Sequence, residues 1–298
     1  MIYRLAFIVS ICFMFTASVF AQPFAYVTHL DSDNVLVIDT QTNNVVDSII
    51  IDVSATTILI NNEGTRAYVT SIGEDIVTVI NTLSNSVIDT IPVGNNAQGL
   101  AITPDDSRLY VTNSNSDTIT VIDTNTNTAI DTIPVGDQPS DIGITPDGTR
   151  AYFANSGDAT VSILDTATNT VIDTIPVGDQ PIGLVITPDG TRVYVSNRGD
   201  NNVSVIQTAT NTVVDTIPIG QNPSTITLSP DGTRLYTANT VSFDISVIDT
   251  GSNIVISTIL AGEFTTGLAV TSDGTRLYAS IFFDSNVIVI DTLTNSII

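Results

Sequence analysis

The sequence predicts an all-β fold built from seven copies of one unit, and three observations lead to this prediction. A tyrosine recurs every 42 residues without insertion or deletion. Each unit contains four short apolar runs rich in valine, isoleucine, threonine and tyrosine, which pleated surfaces favour. Turn-forming sequences of proline, aspartate, glycine and asparagine separate the runs. Because four antiparallel strands repeated radially form a propeller blade, the sequence predicts a seven-bladed β-propeller.

The repeat keeps its register along the whole chain. An arginine stands two residues before each marker tyrosine except the first. An asparagine recurs at the same interval, from Asn43 to Asn295. A β-solenoid is the alternative architecture, but its coils are usually shorter and need no hairpin turns. The marker tyrosines are Tyr26, Tyr68, Tyr110, Tyr152, Tyr194, Tyr236 and Tyr278.

One unit shows how the elements follow each other. The sequence Pro-Asp-Gly-Thr that ends at Thr191 predicts the turn between the first and second strands. Asn211 predicts the left-handed residue that closes the hairpin between the third and fourth strands. Pro218 predicts that the fourth strand is outermost, since proline cannot donate a hydrogen bond to a neighbouring strand. The strands predicted for this unit are Ile182–Thr187, Arg192–Asn197, Asn202–Thr208 and Thr212–Ile219.

The chain begins with a segment that predicts export. Residues 1–21 contain one charge, Arg4, then an apolar run and small residues before Gln22, a pattern typical of a secretory signal peptide. A retained membrane anchor is the alternative, but the run is short for a span of about 20 residues. Residues 22–298 then form a single propeller domain in the periplasm, at the cell surface or outside the cell, with no stable membrane span after cleavage. Cys12, the only cysteine, lies in the leader, so we expect no disulfide in the propeller.

The first and last copies of the repeat are incomplete. Too few residues lie between Gln22 and Tyr26 to form an inner strand for blade one. The last copy ends at Ile298, before most of its outer strand. We therefore expect an incompletely closed seam between blades seven and one, which either an open ring or a truncated chain would explain. An unpaired strand edge there would favour association with another chain.

Composition argues against several functions. The formal net charge is −23 and lysine is absent, so the surface repels phosphate backbones and nucleic acid is not an expected partner. We expect no cofactor, metal site or catalytic residue, because the chain has no glycine-rich phosphate loop, nucleophile elbow or histidine-rich set. Asp31 to Asn34 and Asp200 to Asn202 contain oxygen ligands that calcium accepts, but neither matches a complete calcium loop. Asp123, after a third strand, is expected to form hydrogen bonds within its turn.

Two motifs resemble a known repeat family. Tyr110-Val111-Thr112-Asn113, followed by Val121-Ile122-Asp123-Thr124, resembles the YVTN-family β-propeller repeat. The string from Thr187 to Tyr194 is similar to the same consensus. The resemblance covers residues 24–298 and implies a secreted, periplasmic or surface-layer protein. It implies no reaction and no shared catalytic residues.

Residues that break the repeat are the candidates for function. Two sets of loops share one face of a propeller, namely the linkers between blades and the loops between second and third strands. Most are small and polar, but those of blades five, six, seven and one carry aromatic or cationic residues. An exposed aromatic cluster beside a cation is typical of a binding surface, and the alternative is that the rings plug the seam or the channel mouth. The candidates are His29, Arg198, Phe243, Phe264, Phe282 and Phe283.

These residues favour a non-enzymatic binding or scaffold module for a protein or cell-envelope ligand. Propellers also host lactonases and lyases, so a lactonase-type hydrolase or lyase is the second hypothesis. Most such sites need histidines or metal-binding carboxylates, which argues against it. A purely structural surface-layer or adhesion module is the third hypothesis. The sequence leaves the ligand and the oligomeric state open.

Overall fold

The computed structural model is a ring of seven four-stranded antiparallel sheets, which confirms the seven-bladed propeller. It describes residues 11–13, 24–29, 33–51, 54–71, 73–284 and 286–298. These ranges contain 28 strands, β1 to β28, and no helix. Apart from residues 11–13, the leader of residues 1–21 lies outside the described residues, so the signal peptide stays a prediction.

The strands are numbered in chain order, four to a blade. Blades one and two contain β1 Ile11–Phe13, β2 Phe24–His29, β3 Asn34–Asp39, β4 Asn44–Ile50, β5 Ala55–Ile60, β6 Arg66–Ser71, β7 Ile76–Asn81 and β8 Ser86–Pro92. Blades three and four contain β9 Ala97–Ile102, β10 Arg108–Asn113, β11 Thr118–Asp123, β12 Thr128–Pro134, β13 Pro139–Ile144, β14 Arg150–Asn155, β15 Thr160–Asp165 and β16 Thr170–Pro176. Blades five and six contain β17 Pro181–Ile186, β18 Arg192–Asn197, β19 Asn202–Gln207, β20 Thr212–Pro218, β21 Pro223–Leu228, β22 Arg234–Asn239, β23 Asp244–Asp249 and β24 Ile254–Leu260. Blade seven contains β25 Thr265–Val270, β26 Arg276–Ile281, β27 Asn286–Asp291 and β28 Ser296–Ile297.

Within a blade the strands are ordered as they follow in the chain, from the innermost to the outermost. The first strands of successive blades contact one another, as β13 contacts β9 and β17, so they surround the central channel. The fourth strand leaves one edge free, and Pro134 lies exposed on it as the sequence predicts. In blades one to six the third and fourth strands contain one register shift, as between Val121 and Ile122, which increases the local twist.

The hydrophobic core lies between blades. All seven marker tyrosines are at most 1 % exposed. One cluster packs Tyr110 and Val121 of blade three against Ile142 and Phe153 of blade four. Since each blade buries its apolar faces against its neighbours, a single blade cannot bury them alone.

Hydrogen bonds also join successive blades, on the face that carries the two hairpin turns of each blade. Between blades three and four, the Tyr110 hydroxyl donates to Asn169 Oδ1 at 3.0 Å, and Asn169 Nδ2 donates to Asp131 Oδ2 at 2.9 Å. Arg108 Nη1 donates to the Thr166 carbonyl at 2.9 Å. Asn169 has a φ of +53°, the left-handed conformation expected of it. We call this set of contacts the tyrosine–asparagine clamp.

Clamp contacts also close the ring between blades seven and one. The Tyr278 hydroxyl donates to Asn43 Oδ1 at 2.8 Å, and Arg276 Nη1 donates to the Thr40 carbonyl at 2.8 Å. An apolar cluster joins Tyr278 to Val27 of blade one. Polar and apolar contacts therefore both bridge the seam.

The strands at this seam are short, and here the structure differs in part from the sequence prediction. The sequence predicts no inner strand for blade one, but Ile11–Phe13 pairs with β2 in that position. The apolar run of the leader can satisfy the free edge of β2, which residues 22–298 leave open. β28 contains only Ser296 and Ile297, as the sequence predicts for the outer strand of blade seven.

The turns confirm the residue-level predictions. The backbone N–H of Thr191 donates to Asp189 Oδ1 at 3.0 Å, and Gly190 has a φ of +69°. Asp106, which replaces that glycine in blade three, has a φ of +58°. Asp123 Oδ1 accepts the backbone N–H groups two and three residues later at 2.9 and 3.1 Å, which is the turn role expected of it.

Candidate functional site

One face of the ring carries the linkers between blades and the loops between second and third strands, and we call it the linker face. In blades three to seven, a backbone hydrogen bond joins the loop to the linker that enters the same blade. Arg198 N donates to the Gln180 carbonyl at 2.9 Å, and Phe282 N donates to the Phe264 carbonyl at 3.0 Å. Loops and linkers therefore form one surface around the channel mouth.

Two positions on this face are left-handed in successive blades. One precedes the third strand, and the other precedes the first strand of the next blade. In blade two, Asp75 Oδ1 accepts the backbone N–H of Asn96 at 3.0 Å, and the two residues have φ values of +50° and +58°. Asp117 and Gln138 repeat this contact at 2.9 Å. Aspartate and asparagine suit the pair, because they tolerate left-handed φ and aspartate completes a hydrogen bond.

Blade six places phenylalanine at both positions. Phe243 and Phe264 have φ values of +60° and +58°. A left-handed L-residue costs roughly 1–2 kcal/mol, and a bulky side chain makes the conformation rarer still. Neither ring offers the acceptor that Asp75 gives to its linker. The two phenylalanines thus strain the backbone, and Phe243, like Ala159 at the same position of blade four, gives the linker no acceptor. Backbone strain of this kind accumulates at functional sites.

Three of the candidate phenylalanines form one cluster. The ring centroids of Phe264 and Phe283 lie 4.9 Å apart with an interplanar angle of 83°, and those of Phe282 and Phe283 lie 5.2 Å apart at 71°. Both are the edge-to-face arrangement that aromatic rings favour. Phe283 is 58 % exposed, whereas Phe264 and Phe282 are half-buried. Phe283 therefore presents a ring to solvent on a base formed by the other two.

Further exposed apolar side chains lie on the same face of blade six. Phe243 is 38 % exposed and lies one residue before β23, whose Asp244 pairs with Leu260. Leu260 takes the position of the edge proline Pro218 and is 77 % exposed. Val241, in the same loop as Phe243, is also exposed. We call this surface the aromatic patch; it comprises Val241, Phe243, Leu260, Phe264, Phe282 and Phe283.

The other two candidates are Arg198 and His29. Arg198 Nε donates to Asn222 Oδ1 at 2.8 Å, which holds the guanidinium against the linker between blades five and six. His29 ends β2 in blade one, and its side chain lies outside the described residues. Sequence reasoning groups all six residues, whereas the structure shows ring contacts among Phe264, Phe282 and Phe283.

The surroundings of the aromatic patch are acidic. Glu263 and Asp284 are exposed next in sequence to Phe264 and Phe283. The chain contains no lysine. The repeat arginines lie on the opposite face, where Arg108 donates across the junction of blades three and four. Negative charge therefore borders the apolar surface.

Asp141 is a further candidate that sequence reasoning misses. It is the only charged residue on the first strands of the described blades. Asp141 Oδ1 accepts the backbone N–H of Ile142 at 2.9 Å, and Oδ2 accepts that of Leu184, in the next blade, at 2.9 Å. Burial raises the pKa of Asp141 to about 6, and the two amide hydrogen bonds oppose this rise. The available signal is a break in the repeat, because the equivalent positions hold glycine or threonine.

Other parts of the described chain give weaker evidence for a functional site. A cavity of about 540 Å³ between blades four and five is lined by turn residues such as Asp147, Arg150 and Asp189, which recur in other blades. Within the described ranges, no group of three or more His, Cys, Asp or Glu side chains is placed to hold a metal ion. No helix among those residues is long and apolar enough to cross a membrane.

The chain is similar to one protein family and to several solved structures. A family model described as YNCE-like β-propeller matches residues 148–297. No curated protein matches the chain. A functionally unknown protein from Desulfotomaculum acetoxidans is 20 % identical with a TM-score of 0.83, over 92 % of this chain and 94 % of that chain.

Two further solved structures have lower TM-scores. A chain of a mitotic checkpoint complex is 16 % identical with a TM-score of 0.80, over 89 % of this chain and 83 % of that chain. A chain of hydrazine synthase from Kuenenia stuttgartiensis is 21 % identical with a TM-score of 0.60, over 79 % of this chain and 94 % of that chain. Identities this low show a shared fold alone.

Proposed function

The chain belongs to the YNCE-like β-propeller family, and on this premise we propose that it is a binding module that contacts a protein partner through the aromatic patch. The observation that carries the proposal is the pair of left-handed phenylalanines, Phe243 and Phe264. Aspartate and asparagine at these positions would relieve the strain and restore a hydrogen bond, so stability does not explain the phenylalanines. Contact with a partner does, since buried aromatic side chains supply much of the energy of protein interfaces.

The surface of the patch indicates the chemistry of the partner. Phe283 and Leu260, at 58 % and 77 % exposure, provide apolar contact area. Glu263 and Asp284 are exposed beside it, so the matching surface has an apolar centre and a basic rim. A polyanionic envelope polymer fits less well, because the same charge repels it. We place the interaction outside the cytoplasm, since residues 1–21 have the pattern of a secretory signal peptide.

A plug is the alternative role for the same rings. A plug of the channel or seam would bury them, whereas Phe243 and Phe283 are 38 % and 58 % exposed. The seam itself is bridged elsewhere, by Arg276 and Tyr278. Both observations support a binding surface.

The test compares two matched variants of the whole chain. One replaces Phe243, Phe264, Phe282 and Phe283 with serine. The control replaces exposed apolar residues of the outermost strands with serine, namely Ile88, Ile130, Ile172 and Val214, which are 47 %, 50 %, 50 % and 52 % exposed. The unmodified protein is used to isolate a partner from cells of its source, and calorimetry measures the Kd of each variant for that purified partner.

We expect the patch variant to bind on the order of 100-fold more weakly and the control to bind like the unmodified protein. Both variants should unfold cooperatively at nearly the original temperature. Equal binding by the patch variant would contradict the proposal. Loss of cooperative unfolding in the patch variant alone would favour the plug.

A further inference from the structure

We propose that the central channel holds a site for one basic side chain, whose ammonium or guanidinium group pairs with Asp141. The inference rests on the proposed function, because the partner that covers the aromatic patch would supply the basic group. The site lies in blade four, away from the patch itself. It therefore adds a second, polar contact to the apolar one.

The position of Asp141 makes it reachable from the linker face. Asp141 is the third residue of β13, which begins at Pro139 beside the linker and runs into the ring. At roughly 3.3 Å per residue, Asp141 lies about 7 Å below the start of the strand. An extended lysine or arginine side chain spans this depth. Asp141 as a whole residue is half-buried, on the strand that lines the channel.

At the two neighbouring junctions, the position equivalent to Asp141 has no room for a side chain. A Cβ on Gly99 would lie 2.6 Å from the Ser140 carbonyl oxygen, and one on Gly183 would lie 2.9 Å from Ser196 Oγ. Between blades four and five the same position instead holds a carboxylate that accepts the Leu184 N–H at 2.9 Å. An acidic side chain is thus accommodated where the adjacent junctions have glycine.

Among the described residues, the carboxylate has hydrogen-bond donors but no cation paired with it. Of the strands packed against β13, β9 and β17 carry no titratable side chain, whereas β10 carries Arg108 and Tyr110 and β14 carries Arg150 and Tyr152. Both arginines stand at the far ends of their strands, where Arg108 Nη1 donates to blade four at 2.9 Å and Arg150 Nη1 donates to blade five at 3.3 Å. Buried charges in proteins are normally paired, so a carboxylate that two amides alone support is suited to a cationic ligand.

The pH dependence follows from the same surroundings. Because burial raises the pKa of Asp141 to about 6, the carboxylate is ionised at pH 7 and protonated at pH 5. A cation pairs only with the ionised form. At pH 5 the ionised fraction is about a tenth of its value at pH 7, so binding should weaken about tenfold over this range.

The experiment titrates n-butylammonium, a model of the lysine side chain, into the full-length protein. Carboxyl carbon-13 NMR follows Asp141. We expect saturable binding that lowers the pKa of Asp141, and weaker binding of tetramethylammonium, which carries the same charge but no N–H donor. D141G, which carries the residue found at Gly99 and Gly183, should lose the binding, and D141N serves if D141G does not fold.

The serine variant of the aromatic patch separates this inference from the proposed function. It should bind n-butylammonium like the unmodified protein, since the patch does not include Asp141. Equal n-butylammonium binding by the unmodified protein and the Asp141 variant would overturn the inference. So would the absence of saturable binding to the unmodified protein, whatever the patch variant does with the protein partner.

Discussion

The junction between blades three and four and the junction between blades six and seven use equivalent strands but different contacts. In the first, the Tyr110 hydroxyl donates to Asn169 at 3.0 Å. In the second, the Tyr236 hydroxyl and Asn295 Oδ1 are both buried, and neither has a hydrogen-bond partner within the described part of the chain. The clamp is therefore incomplete at the junction whose linker face carries the aromatic patch.

The two junctions also differ at one residue on the outermost strand, to which we attribute the missing bond. Asp131 accepts Asn169 Nδ2 at 2.9 Å, whereas the equivalent position of blade six is Ser257. Serine is too short to orient the amide of Asn295 toward Tyr236. Arg234 still donates to the Thr292 carbonyl, and apolar contacts remain. The contrast shows that a junction can lose the tyrosine–asparagine hydrogen bond and keep its other interblade contacts, and this junction is the one beside the aromatic patch.

The largest expected effect is a difference in stability between the same tyrosine-to-phenylalanine substitution made at each of the two junctions. Tyr110→Phe removes the donor to the half-buried Asn169 Oδ1, so it should lower the free energy of unfolding by about 1–3 kcal/mol. Tyr236→Phe removes a buried hydroxyl that has no partner, so it should leave stability unchanged or raise it. Equilibrium denaturation in urea measures both. Equal losses in the two variants would contradict the proposed difference between the junctions.

The next effect concerns the strained phenylalanines. Phe243→Asp combined with Phe264→Asn restores the pair found in blade two and should raise the free energy of unfolding by about 1–2 kcal/mol. The same double variant should lose the protein partner. The matched control, Asp117→Phe with Gln138→Phe, transfers the strain to blade three and should lose comparable stability. A destabilised Phe243/Phe264 variant would show that the rings serve the fold.

A smaller gain is expected from completing the clamp. Ser257→Asp gives Asn295 Nδ2 an acceptor and turns its Oδ1 toward Tyr236, which should add about 0.5–1 kcal/mol to the free energy of unfolding. In a Tyr236→Phe background the gain should shrink, because the hydroxyl that completes the network is absent. Thermal and urea unfolding of the four proteins measure this coupling. An undiminished gain would mean that the new carboxylate acts elsewhere.

The smallest effect is a pH dependence of stability, which arises in equivalent turns of blades three and seven. Hydrogen bonds from the Thr103 hydroxyl and from Ser107 lower the pKa of Asp105 from 3.8 to about 2. Since the folded-state pKa is depressed, this turn contributes stability above pH 4 that is lost as the pH falls toward 2. Asp273 of blade seven has its pKa lowered by the equivalent threonine. D105N should therefore unfold more easily than the unmodified protein at pH 5 and equally at pH 2.

The blade and its turns could be predicted because their causes are local and recur in register. Gly190 and Asn211 lie in turns whose shape depends on residues next in sequence, and both have the left-handed φ expected of them, +69° and +53°. The loop positions of the candidate phenylalanines follow from the same register. The contact between Phe264 and Phe283 does not, because it depends on how a linker and a loop meet in space.

Two features escaped prediction for different physical reasons. Asp141 lies within a strand, and its importance depends on the lack of a cation on adjacent blades, which sequence does not display. The strand Ile11–Phe13 lies in an apolar run that is typical of a leader, yet the same residues fit the free edge of β2. An apolar segment of this length satisfies either pattern.

The sequence separation of the clamp contacts has a consequence for folding during synthesis. At the junction of blades three and four Arg108 reaches forward along the chain by 58 residues, whereas Arg276 reaches back by 236 residues to Thr40. During synthesis each blade can therefore dock on its predecessor soon after it emerges, but blade one must wait for the last blade. Closure by so distant a contact is slow, and until it occurs two apolar blade faces stay uncovered. The nascent ring thus depends most on protection from aggregation in the interval just before its ends meet.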